Sequence, residues 1–180
     1  MYLLINFFAF QIGWFVCVLG AANSIPLLGP VIVAAVIAMH LSQSNKPVRE
    51  LALTGVAGLL GALWESALVM VGWIEYPSGN IAAGFAPYWI VAMWMLFATT
   101  LNVSLRWLRN RTALAVVLGA IAGPLSFYGG AQLGGVVFLD QRAGLIALSV
   151  GWAVMMPTLI ILAARLDGIA VPIVGEQARV

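Results

Sequence analysis

Charge is what this sequence has least of: 8 Lys and Arg and 6 Asp and Glu in 180 residues, 63% of which are hydrophobic. Soluble domains carry roughly 25% charged residues. A water-soluble globule is excluded, because too few polar side chains are available to face water, whereas a bilayer accepts apolar side chains on the outside of a helix bundle. Cys17 is the only cysteine, which excludes an intramolecular disulfide. His40 is the only histidine, and with a single thiol beside it histidine-box di-iron sites, paired-histidine haem and zinc-peptidase motifs all fall away. No metal and no cofactor is therefore expected. Lys46 is the only lysine and precedes Pro47 in a connection, so a retinal Schiff base inside a bundle is excluded. Neither a Walker A motif nor a dinucleotide fingerprint occurs. The net charge is +2, but the basic residues are dispersed and form no stripe, so membrane lipids and not nucleic acid are the expected partners.

What is present is apolar sequence in long runs. A span needs about 20 apolar residues, and six segments qualify, at about 2–22, 26–41, 51–73, 88–105, 112–128 and 143–164. The expected fold is all-α, one polytopic transmembrane bundle over 1–180. The stretch 129–139 is ambiguous: continued to Leu139, the fifth helix would be about 42 Å long, too long for a roughly 30 Å hydrocarbon core. A break near Pro124 to Gly130 is expected, followed by an interfacial or re-entrant piece. Lys46, Arg49, Arg106, Arg109, Arg111, Arg165 and Arg179 fall in the second and fourth connections and the tail, and only Arg142 in the others, which places both termini in the cytoplasm. Trp73, Tyr76, Tyr88 and Trp89 form an outer aromatic belt, and Trp107 marks the inner interface. Residues 1–22 lack a basic flank before the apolar run, so the first helix is expected to stay and not be removed as a signal peptide. The triplets Val71-Gly72-Trp73 and Val150-Gly151-Trp152 are too short to establish an inverted repeat.

Glu65 is the one acidic residue deep inside a span, about 21 Å from one end and about 12 Å from the other. A carboxylate at that depth costs several kcal/mol unless paired, wetted or protonated, which makes it the first functional candidate. Gly58, Gly61 and Gly72 share its helical face, a surface suited to close packing. Gln11, Thr99 and Ser126 reach similar depth on neighbouring helices, and with Glu65 they form the expected lining of a midplane cavity. Thr99, Asn102 and Arg106 follow i, i+3, i+7 spacing, as a wet face or an inter-helix contact; Asn102 is the next candidate. Trp14, Trp64, Trp94 and Trp152 lie away from the interfaces, so their indole N–H groups need acceptors inside the bundle; Trp64 adjoins Glu65. Gly119 and Gly123, and Gly130 and Gly134, form GxxxG pairs that permit close backbone approach.

The stretches NFFAFQIGWFVCVLGAA at 6–22, WESALVMVGWIEYPSG at 64–79, APYWIVAMWMLFATTLNVSLRWL at 86–108 and IAGPLSFYGGAQLGG at 121–135 resemble a small bacterial inner-membrane family. That family is catalogued as a domain of unknown function, number twenty-eight seventy-eight. The resemblance implies a bacterial cytoplasmic membrane protein and transfers no catalytic role. The leading expectation is binding or translocation of a small apolar or lipid-like molecule near Glu65, with Gln11, Trp64, Thr99, Asn102 and Ser126 as further ligand-binding or proton-coupling candidates. Two alternatives stand beside it. One is a cofactor-free enzyme of lipid or isoprenoid metabolism using Glu65 as general acid or base. The other is a non-catalytic subunit docking through its glycine faces onto a second copy or another membrane protein.

Overall fold

Long apolar runs form helices in this chain, two of them continuing through an internal proline, Pro124 and Pro157. The computed structural model describes residues 2–169. The helices are α1 (Tyr2–Ala22), α2 (Leu28–Ser42), α3 (Pro47–Met70), α4 (Tyr88–Leu101), α5 (Thr112–Gln132) and α6 (Gln141–Arg165). Two short strands, β1 (Ile74–Glu75) and β2 (Val137–Phe138), pair antiparallel with Ile74 opposite Phe138. They tie the α3–α4 connection to the α5–α6 connection.

Among the described residues the regular structure is all-helical apart from that pair, and α1, α3, α5 and α6 are long and apolar enough to cross a membrane. At 1.5 Å per residue they measure about 31 to 38 Å, whereas α2 and α4 reach only about 22 and 21 Å. The outer faces of the long helices are apolar and exposed, as at Leu59 and Leu63 on α3 and Ile146, Val150 and Val154 on α6. Water would penalise such a surface, and a bilayer does not.

The boundaries depart from the sequence reading in four places. α3 starts at Pro47 rather than Leu51, because proline at the first helical position has no N–H to leave unpaired. It ends at Met70, where Gly72 takes φ +76 and turns the chain; Gly72 therefore leaves the face shared by Gly58, Gly61 and Glu65. It also has no counterpart relation to Gly151, which lies inside α6. α4 stops at Leu101 rather than Leu105, because the N–H groups of Val103 and Leu105 both turn back to the Thr100 carbonyl. A 3-10 turn at Arg106–Leu108 follows.

The fourth departure is the expected break near Pro124, which does not occur: α5 runs through the proline to Gln132. Proline leaves the carbonyl four residues earlier without its helical donor. That carbonyl, Ala120, accepts instead from the Ser149 hydroxyl of α6 at 2.7 Å, so a neighbouring helix repairs the defect. Residues 133–136 are a turn with Gly134 at φ +85, leading into β2, and 129–139 holds no re-entrant helix.

α4 is the buried centre, with Trp89, Trp94, Leu96, Ala98 and Leu101 shielded by α1, α2, α3 and α6. α5 and α6 form a tight hairpin. A Cβ on Gly119 would lie 2.3 Å from the Trp152 carbonyl oxygen, and one on Gly123 would lie 2.3 Å from the Trp152 ring. Gly119→Val must therefore push the two backbones apart, an overpacking cost of about 1–3 kcal/mol. The expected result is a lower detergent-unfolding midpoint, with the α5 and α6 amides exchanging fastest.

Candidate functional site

Glu65 is wholly buried and has no contact with solvent or lipid. Oε2 accepts from the Tyr76 hydroxyl at 2.7 Å and Oε1 from Trp94 Nε1 at 3.0 Å. Three local features make this possible. Glycine at 61 leaves room for the Trp94 ring, whose Cγ would lie 2.1 Å from a Cβ there. The β1–β2 pairing anchors the strand that delivers Tyr76. The Tyr76 ring then packs edge-on against Trp89, with centroids 5.5 Å apart. The carboxyl is thus a two-point acceptor that fixes one indole and one phenol.

Trp94 carries that constraint to the far side of α4. Its ring stacks on Trp152 at 4.7 Å and 17°, and Phe97 meets Trp152 edge-on at 5.3 Å. These rings floor a cleft of about 490 Å³ between α1 and α5. Gln11 and Trp14 line it from α1, and Gly119, Gly123 and Ser126 from α5. Trp14 Nε1 donates to Ser126 Oγ at 3.0 Å and bridges the two helices. Phe15 and Leu125, 47% and 62% exposed, form a rim that opens sideways to the exterior of the bundle. No titratable side chain lines the cleft.

The six candidates from sequence therefore fall in five places. Gln11 and Ser126 line the cleft, and Glu65 sits behind its floor. Trp64 points away, its ring over Gly151 of α6 and its Nε1 without a partner among the described residues. Thr99 is an internal helix contact, its hydroxyl donating to the Leu96 carbonyl and its own carbonyl accepting from Asn6 Nδ2 at 3.0 Å. Asn102 belongs to a separate polar cluster. The single cavity expected around all of them is corrected accordingly: α4 stands between Glu65 and the open cleft.

The separate cluster gathers at the end of the bundle where α2, α4 and α6 finish and α3 begins. Glu50, in the first turn of α3 and 1% exposed, is its hub. Its Oε1 accepts from Asn102 Nδ2 at 2.7 Å and from the Gly168 N–H at 2.6 Å. Its Oε2 lies 3.0 Å from His40 Nε2, while His40 Nδ1 faces the Tyr2 hydroxyl at 3.3 Å. A carboxylate oxygen accepts, which assigns the imidazole hydrogen to Nε2 and leaves Nδ1 as acceptor from Tyr2. Asn102 Oδ1 accepts from Arg109, and Arg109 donates to Asp167 at 2.8 Å. Arg106 also pairs with Asp167. Partial burial raises the Asp167 pKa, but hydrogen bonds from Arg109 and the Ile169 N–H and the charges of both arginines outweigh it and hold the carboxyl below its ordinary value of 3.8. The Thr99–Asn102–Arg106 line is thus an inter-helix contact, not a wet face. Arg179, counted for topology, lies outside the described residues.

The span expected from residue 51 leaves Glu50 outside the helix, and neither His40 nor Asp167 was a site candidate in the sequence. The available signal was Pro47, which as a helix-starting residue puts Glu50 inside the helix.

Residues 3–158 match the family described as Protein of unknown function (DUF2878). The chain belongs to that family. Comparison with the curated proteins and with the solved structures returns no match. Within this DUF2878 member the cleft, its Trp94–Glu65–Tyr76 support and the Glu50 hub all fall inside the matched span, whereas Asp167 and Gly168 follow it.

Proposed function

We propose that this chain is a multi-pass protein of the bacterial cytoplasmic membrane that binds, and moves, a small apolar or lipid-like molecule in the cleft between α1 and α5. The observation that carries this reading is the cleft: about 490 Å³, within the roughly 300–1,000 Å³ of small-molecule sites, floored by Trp94, Phe97 and Trp152 and open at the Phe15–Leu125 rim. An apolar chain or ring entering from the bilayer gains contact with these rings without desolvating a charge. In this reading all six helices are spans, the two short ones sitting where the bilayer thins or the helix ends stay among protein neighbours. Both termini face the cytoplasm, supported by Lys46, Arg49, Arg106, Arg109, Arg111 and Arg165 at one end against Arg142 at the other.

Glu65 enters this reading as a positioning residue acting through Trp94. As general acid or base it lacks reach, since both oxygens are occupied and α4 separates it from the cleft. This favours binding over the cofactor-free enzyme.

The test is the lipid that leaves with the protein. Ala122 lines the cleft from an exposed position on α5, so Ala122→Trp fills the space without entering the packed core. Mass spectrometry of extracts from the purified chain is expected to find one lipid-type species retained at about one molecule per native chain and at less than a tenth of that in the variant. Equal retention contradicts the reading.

A further inference from the structure

A second cleft, of about 390 Å³, lies between α5 and α6 at the basic end of the bundle, apart from the aromatic one. Its mouth carries Arg109, Asn110, Thr112 and Arg165, and its deeper wall is apolar, formed by residues such as Ala115 and Ile160. Among the described residues no acidic one lines it.

Arg109 is held in place for a ligand. One terminal guanidinium nitrogen is spent on Asp167 and the other on Asn102, while the buried Nε has no partner among the described residues. A guanidinium fixed at two corners is a preorganised positive charge at the mouth of the cleft. Arg165, in the last turn of α6, is exposed and has no carboxylate partner among the described residues. Asp167 is shared between Arg106 and Arg109, and Glu50 is occupied by His40, Asn102 and the Gly168 N–H, so among the described residues no carboxylate is left to neutralise Arg165. The first turn of α5 beneath Thr112 adds to that potential, since it contains no acidic residue. Arg111 lies over the Trp107 ring at 5.8 Å, the pairing of a cation with an aromatic that marks headgroup depth.

We propose that this cleft binds a phosphate ester carried on a lipid, the phosphate between the Arg109 and Arg165 guanidinium groups and one alkyl chain along the apolar wall of α5 and α6. The charged mouth explains the phosphate, and the methyl-lined depth explains the chain. A phosphate without a chain satisfies only the mouth.

The experiment is native mass spectrometry of the full chain in detergent micelles, titrated separately with phosphatidylglycerol, phosphatidylcholine and inorganic phosphate. Phosphatidylglycerol is expected to saturate one site, with phosphatidylcholine at least tenfold weaker because its choline opposes the arginines. Arg165→Gln, at an exposed side chain with no carboxylate partner among the described residues, is expected to weaken phosphatidylglycerol at least tenfold. Ile161→Trp, which fills the lower cleft from a half-exposed position, is expected to do the same. Unchanged affinity in both variants overturns the proposal. Competition by inorganic phosphate at the same concentration as the lipid overturns the lipid assignment in favour of a free anion. Ala122→Trp is expected to leave this binding intact, so failure here and failure of the aromatic cleft are read separately.

Discussion

Glu65→Leu is expected to unseat both Trp94 and Tyr76 and to lose the cleft with them. The substitution leaves an indole N–H and a phenol O–H buried without an acceptor, each a cost of about 1–3 kcal/mol. Trp94 then loses the bond that fixes its plane beneath Trp152, so the floor of the cleft is no longer one surface. A lower midpoint in detergent unfolding and less than a tenth of the native retention of the lipid species held in the aromatic cleft are the expected readouts. Glu65→Gln separates hydrogen bonding from charge. Its carbonyl oxygen can accept from Trp94 while its amide donates to the Tyr76 oxygen, because a hydroxyl both donates and accepts. Stability within about 1 kcal/mol of native and unchanged retention are expected. If the glutamine variant fails as the leucine variant does, Glu65 acts through its charge or its proton rather than through two hydrogen bonds.

The largest loss of stability is expected at Glu50. Glu50→Leu deprives His40, Asn102 and the Gly168 N–H of their common acceptor. Each of these three donors, left buried without an acceptor, costs about 1–3 kcal/mol. Residues 167–169 lose their tether to α3, so hydrogen exchange at Gly168 and Ile169 is expected to accelerate before the helices themselves loosen. Combining His40→Leu with Glu50→Leu is expected to cost less than the sum of the two single changes, since each removes a burden left by the other. Additive costs contradict a shared network.

Much of the helical architecture was legible in the residues because it is a local property. The apolar run from Tyr2 to Ala22 and the one ending near Arg165 define their helices without help from neighbours, and Gly58 and Gly61 announce a close-packed face that α4 occupies. The errors arise where a distant group completes a local one. Pro124 reads as a break until Ser149 supplies a donor to the Ala120 carbonyl. Glu50 reads as a loop residue because its partners Asn102 and Gly168 are 52 and 118 positions away. Glu65 was recognisable as unusual from depth alone. Its role was not, since Tyr76 comes to it from beyond the end of α3, and Trp94 occupies the space that sequence reasoning assigned to a cavity. Gln11 and Ser126 were identified for their depth, and the cleft brings them to opposite walls; the aromatic floor between them depends on ring orientations that no spacing rule encodes.

The central claim is that the space between α1 and α5 is a ligand site and not a packing gap. Cryo-electron microscopy of the full chain in nanodiscs of native lipid tests it most directly. The expected result is an elongated non-protein density against Trp94, Phe97 and Trp152, entering between Phe15 and Leu125. Helices α1 and α5 closed against each other, with no density between them, would contradict it.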